Sequence, residues 1–213
     1  REPALVTTEQ ESVSLSRYVS PLSPSWREQE IDSYNPEAEL LIRRHLEIIK
    51  PDVVHIHHWL RLTNTLVSLA EGLGIPTVVT LHDLWTTCAR IHRQHRQGHF
   101  CQQRPTPSLC VSCVEKLPWQ QEEYVRQALA LRQEQIVKEL EMARVIIVPS
   151  TSHQQLLSSL LDLPVDRLRV LPHGSIVRLI PSSDNNGTAK FPHRPLRLAY
   201  WGYLVHHKGV HLL

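Results

Sequence analysis

Residues 51–88 read PDVVHIHHWLRLTNTLVSLAEGLGIPTVVTLHDLWTTC, and this stretch decides the fold. An apolar run closes on histidines, Val53-Val54-His55-Ile56-His57-His58. A segment of helical period follows over Arg61–Leu73, with Leu62, Leu66, Leu69 and Leu73 on one face. Gly74-Ile75-Pro76 then leads into a second apolar run, Thr77–Leu81, which closes on His82-Asp83. The unit is strand, helix, strand, with polar residues only where each strand stops. Parallel pairing needs a crossover, and the helix supplies it. The near-continuous apolar character of the strands predicts a sheet covered on both faces. In open α/β sheets ligands bind outside the carboxyl ends of the strands. His57, His58, His82 and Asp83 are therefore expected on one rim, and that rim is the candidate site.

The flanking chain extends the pattern. Residues 1–34 are polar, with Val13, Leu15, Tyr18, Val19 and Trp26 scattered among them, and read as a short strand or loop before an irregular connection. Asn35-Pro36-Glu37 starts a helix, with Asn as cap and Pro at the first helical position. Lys50-Pro51 stops it, because the residue before proline avoids helical dihedrals. Residues 84–118 form a long insertion on the rim, holding all four cysteines and three histidines, His92, His95 and His99. A structureless loop of that length is uncommon unless it is functional or stapled. Residues 119–142 read as a long helix with Val125, Leu129, Ile136 and Leu140 inward. Arg144–Val148 is a third strand, closed by Pro149-Ser150, and Ser150 or Thr151 caps a helix through Leu161. Arg167–Leu171 is a fourth strand. The division expected is a Rossmann-like doubly wound parallel α/β domain over residues 1–174, a Pro-, Ser- and Asn-rich linker over 175–195, and the onset of a second such domain over 196–213.

Composition narrows the function classes. A formal charge of +2, with both signs interspersed, does not point to nucleic acid. No run of about 18 apolar residues exists, so nothing in the sequence reads as a membrane span. Both ends read as cut: the chain starts at Arg1 and stops in a pattern just begun at Val210-His211-Leu212-Leu213, so a fragment is expected. The spacing Cys88-x12-Cys101-x8-Cys110-x2-Cys113 leaves three readings open: a structural zinc site, reduced packing cysteines, or a disulfide. Four sulfur ligands would shape the insertion rather than perform chemistry. His55 reads as a hydrogen-bonded interior histidine. His57 and His58 face either the cleft or the interior. Asp83 either bonds an acceptor hydroxyl or caps the following turn. Trp85 and Trp119 either stack on a ligand or pack.

Taken together, PDVVHIHH, GIPTVVTLHDLWTTC, ARVIIVPS, RLRVLPHG and LRLAYWGYLVHHKGVHLL resemble the family 4 glycosyltransferases, from about Asn35 to Leu213. The resemblance implies a GT-B architecture, two Rossmann-like domains facing across a cleft. It implies an acceptor bound by the N-terminal domain, a nucleotide-diphosphate sugar bound by the C-terminal one, and transfer with retention. It places His82 on the transferred sugar as the catalytic residue and His57, His58 and Asp83 on the substrate side. It places Gly202, Lys208 and Gly209 on the diphosphate, where a glycine turn lets backbone amides approach phosphate and a lysine adds charge. Tyr203 stands where many relatives carry arginine, and Pro172-His173-Gly174 where Pro-Asn-Gly is usual. The implied partners are the donor and a sugar, polyol or lipid-linked acceptor, with no nucleic acid. The implied location is cytoplasmic, with peripheral contact at the inner membrane face open. No cofactor is implied for catalysis, and structural zinc is the one metal raised. As a fragment the chain is expected not to turn over. The rival reading is a non-catalytic, metal-stapled α/β binding module.

Overall fold

The computed structural model describes residues 3–19, 34–174 and 200. The chain opens on an antiparallel hairpin, β1 (Ala4–Gln10) and β2 (Val13–Val19), with Gln10 opposite Val13. Both turn residues, Glu11 and Ser12, take positive φ (48° and 67°), the handedness that matches strand twist in a two-residue turn. The sequence suggests only a short strand or loop here. Exposure blurs its alternation: Val13, Leu15 and Val19 all face solvent. Helix α1 (Pro36–Ile49) begins as expected, with Asn35 Oδ1 accepting the Ala38 N–H at 3.0 Å and Pro36 at the first position. It ends at Lys50, which turns left-handed (φ 45°) and donates its N–H to the Leu46 carbonyl.

Four parallel strands follow in chain order: β3 (Val54–Ile56), β4 (Thr77–Thr80), β5 (Val145–Val148) and β6 (Leu168–Val170). The crossovers are α2 (Leu66–Gly72), the insertion with α3 (Pro107–Cys110) and α4 (Glu122–Met142), and α5 (Thr151–Leu161). A sheet that advances in one direction through right-handed crossovers receives every crossover helix on one face. Ile56, Val79, Ile146 and Leu168 lie in register across that face and are buried with Val67, Leu140 and Leu157 of the helices. The opposite face carries His55, Val78 and Val145, then Thr80, Ile147 and Arg169; Thr80 is buried and the others are half-buried or exposed. The sheet is the expected Rossmann-like parallel α/β one, and among the described residues its second face is only partly covered. Covering the second face takes strands beyond β3 wound in the opposite sense, and none lies among the described residues.

Helix α2 starts five residues later than its apolar spacing predicts. Arg61 sits at φ 67°, off the helical path. Beyond it Thr63 and Thr65 bond each other through their hydroxyls at 3.0 Å, and Thr65 Oγ1 donates to Glu39 Oε2 at 2.6 Å. Such local side-chain bonds compete with helix formation. The first turn then takes its cap from another helix. Glu139 of α4 accepts the N–H groups of Val67 (2.6 Å) and Ser68 (2.9 Å) and the indole N–H of Trp59 (2.9 Å), while only 1% exposed. Three donors satisfy a carboxylate that would otherwise be expensive to bury. Gly74, at φ 75°, closes α2 and donates to the Glu71 carbonyl.

The insertion is folded. A 3-10 turn at Trp85–Thr87, a bridge between Gln94 and Phe100, and α3 pack Ala89, Val111 and Val114 against Val125 and Leu129 of α4. The four inward positions expected of α4 are all buried. Ser150 Oγ caps α5 by accepting the His153 N–H at 3.2 Å. No described helix is long and apolar enough to cross a membrane. The expected linker and second-domain onset lie outside the described residues, Tyr200 apart.

Candidate functional site

The ends of β3 and β4 bring the predicted residues together. His57 Nδ1 and His82 Nε2 stand 2.7 Å apart, with the rings nearly parallel (12°) and 5.0 Å between centroids. A hydrogen bond between two imidazoles needs one N–H and one lone pair, so at least one ring is neutral at that contact. The His55 ring lies 4.1 Å from that of His57, and its Nε2 is 2.7 Å from Thr80 Oγ1. The alternation of strand side chains puts His55, His57, Thr80 and His82 on the partly covered face. His55 is hydrogen-bonded, as expected, but exposed rather than interior, because that face is only partly covered. Partial desolvation, then the neighbouring His57 and His82, hold its pKa below the ordinary imidazole value.

A second group forms on the helix side. His58 Nδ1 accepts the Leu60 N–H at 2.9 Å, which leaves the proton on Nε2, and Nε2 donates to Asp83 Oδ2 at 3.3 Å. Asp83 Oδ1 accepts the Trp85 N–H at 2.9 Å, so this carboxylate pins the turn after β4. Burial alone would raise the Asp83 pKa. The bonds from His58 and the Trp85 amide, with the charges of His58 and His92, outweigh it and hold the carboxyl below its usual range. His153, at the third position of α5, adds a half-buried imidazole. Desolvation lowers its pKa and His82 lowers it further, against the opposing pull of Asp83. Sequence reading ended the β5 signal at Pro149-Ser150 and missed His153. The same strand-end rule, carried one helical turn onward, would have found it.

The floor beneath these groups is aromatic. Trp85 is 1% exposed, stacks on Trp59 (5.7 Å, 13°) and lies 5.2 Å from the His58 ring. The Arg132 guanidinium sits 4.4 Å over Trp85, and Nη2 donates to the Trp85 carbonyl at 2.5 Å. Trp85 is thus packing, not a sugar platform, whereas Trp119 is exposed.

The four cysteines are unpaired, so the structure contains no disulfide between them. Cys88, Cys101, Cys110 and Cys113 line one cavity in the insertion. Among the described residues no three Cys, His, Asp or Glu side chains already stand as a metal-holding group, on the rim or in the insertion. Gly202, Lys208 and Gly209 lie outside the described residues.

The rim can therefore offer imidazoles of fixed orientation and one carboxylate to a hydroxyl-rich ligand at the strand ends. No curated protein matches the chain. The model of the family described as Glycosyltransferase Family 4 matches residues 3–175, a span that holds the hairpin, all four parallel strands and every rim histidine. The chain belongs to glycosyltransferase family 4, and its general function is sugar transfer from a donor to an acceptor.

Proposed function

We propose that this domain forms the acceptor side of a retaining transfer from a nucleoside-diphosphate sugar, with His82 on the transferred sugar. One observation carries the reading: His82, exposed at the end of β4, is held by a 2.7 Å bond to His57. That bond orients the ring before the ligand arrives, so little ordering remains to be done on binding. A fixed imidazole can then hydrogen-bond a sugar hydroxyl as the glycosidic bond breaks. His58 and Asp83 stand beside it for an acceptor hydroxyl. Charge developing on the leaving diphosphate falls to Lys208 and the amides near Gly202. Retention follows from same-face attack, with the leaving phosphate taking the acceptor proton. The acceptor class is a sugar, polyol or lipid-linked glycan; a lipid-linked one would bring the domain to a membrane surface peripherally.

The test is calorimetric titration of the full-length protein with UDP and with GDP, paired with transfer assays of His82→Ala. We expect one nucleotide to bind, and His82→Ala to lower transfer about a hundredfold while nucleotide affinity stays within about twofold. Absence of binding to either nucleotide, or full activity in His82→Ala, would sink the proposal.

A further inference from the structure

The cavity in the insertion combines two features that explain each other. Its walls carry the thiols of Cys88, Cys101, Cys110 and Cys113, and it holds about 30 Å³, room for one ion-sized particle. Thr87, Gln94, His95 and Gln103 also line it, and two arginines bring positive charge to its wall. Arg93 is 2% exposed, and its guanidinium donates to the carbonyls of Cys101 (2.8 Å), Thr87 (2.8 Å) and Gln103, with Nη2 3.7 Å from Cys101 Sγ. Arg90 Nη1 donates to the Cys113 carbonyl at 3.2 Å and lies 3.9 Å from Cys113 Sγ. Among the described residues no carboxylate pairs with either arginine.

A buried guanidinium without an anion is a costly arrangement. Neutral thiols do not relieve it. Four thiolates around a divalent cation would. The step is M²⁺ + 4 RSH → [M(SR)₄]²⁻ + 4 H⁺, with no change of oxidation state. The product carries two negative charges, and two guanidinium groups face it.

We propose that Cys88, Cys101, Cys110 and Cys113 hold one zinc ion, with Arg90 and Arg93 as its counter-charge. Thiolate softness and the four-sulfur set select zinc over harder divalent ions. Ligation draws the sulfurs inward from the cavity wall. The site is structural: four sulfurs leave no open position for a reacting ligand. It staples the insertion that begins at Leu84, directly after His82-Asp83. The assignment stands on the thiols and guanidinium groups alone and is independent of the transfer reaction.

The experiment uses the full chain, purified under reducing conditions without added metal. Metal content is measured by mass spectrometry, and the chelated, reduced protein is titrated with Co²⁺. We expect about one zinc per chain, slow thiol reactivity until chelation, and a cobalt spectrum with thiolate charge transfer and tetrahedral d–d bands. Arg93→Met should weaken zinc binding about 10–100-fold, as loss of an outer-shell partner does, with all four thiols still titratable after chelation. Four freely reactive thiols with no stoichiometric metal would overturn the assignment. So would a disulfide, iron in place of zinc, or zinc retained undiminished in Cys110→Ser. The cobalt titration of the unmodified chain decides the matter even if the cysteine variant fails to fold.

Discussion

The histidine rim and the cysteine insertion are neighbours in the chain, and they are held in opposite ways. The rim is placed by main chain. Register pairs Ile56 with Val79 and Val79 with Ile146, so the segments that follow β3 and β4 emerge side by side, and His57 and His82 stay exposed there. The insertion is placed by side chains. Arg93 gathers three carbonyls, and Arg90 Nη1 reaches the Cys113 carbonyl at 3.2 Å. Its backbone bends left-handed at Ile91 (φ 70°) and Arg93 (φ 53°), a conformation that a β-branched residue adopts only under constraint from its surroundings. A ladder fixes geometry cheaply and leaves its ends available for ligands. A loop tied by arginines fixes geometry only by burying the ties.

The largest test of this contrast is Glu139→Ala. It strands three donors beneath the rim and should destabilise the whole domain by about 3–5 kcal/mol, read by urea unfolding. A loss below about 1 kcal/mol would mean that the rim does not depend on that carboxylate. Next comes Leu129→Ala, which hollows the small core between insertion and α4. The expected loss is about 2 kcal/mol, with proteolytic nicking in residues 84–118 appearing before the sheet unfolds. Simultaneous loss of both regions would join what the contrast separates.

Acidification should act on the rim more gently. His55 and His153 have folded pKa values below the ordinary 6.5, so once pH drops under about 6.5 the unfolded chain binds more protons than the folded one. Stability then falls with pH until the folded values are passed and levels off below them. Asp83, with its lowered carboxyl, adds a separate loss further into acid, as pH falls through its folded pKa. Thermal midpoints across this range should decline, and the double variant His55→Ala/His153→Ala should flatten the first window. The smallest effect belongs to Arg104→Ala. Its 2.7 Å pair with Asp162 is fully solvated, so the midpoint should not move measurably.

Sequence alone reached the residues whose neighbours are set by local rules. The Asn35 cap follows from side-chain reach of three residues, and the meeting of His57 with His82 follows from strands that stop in register. Glu139 was illegible. It reads as one more acid on a solvated helix, yet its partners Val67 and Trp59 lie 72 and 80 residues away. Arg93 was hidden for the same reason, since nothing in its own segment says that it will be buried among carbonyls. The start of α2 was misplaced because apolar spacing runs on through Leu62, while Arg61 before it and the two threonines after it divert the backbone.

The borrowed cap of α2 also bears on kinetics. A seven-residue helix lacks the length to persist alone in water, and this one takes its first-turn acceptor from a residue 72 positions away. It should therefore consolidate after α4 docks, on the native side of the folding barrier. Leu69→Ala would then accelerate unfolding and leave the refolding rate almost unchanged.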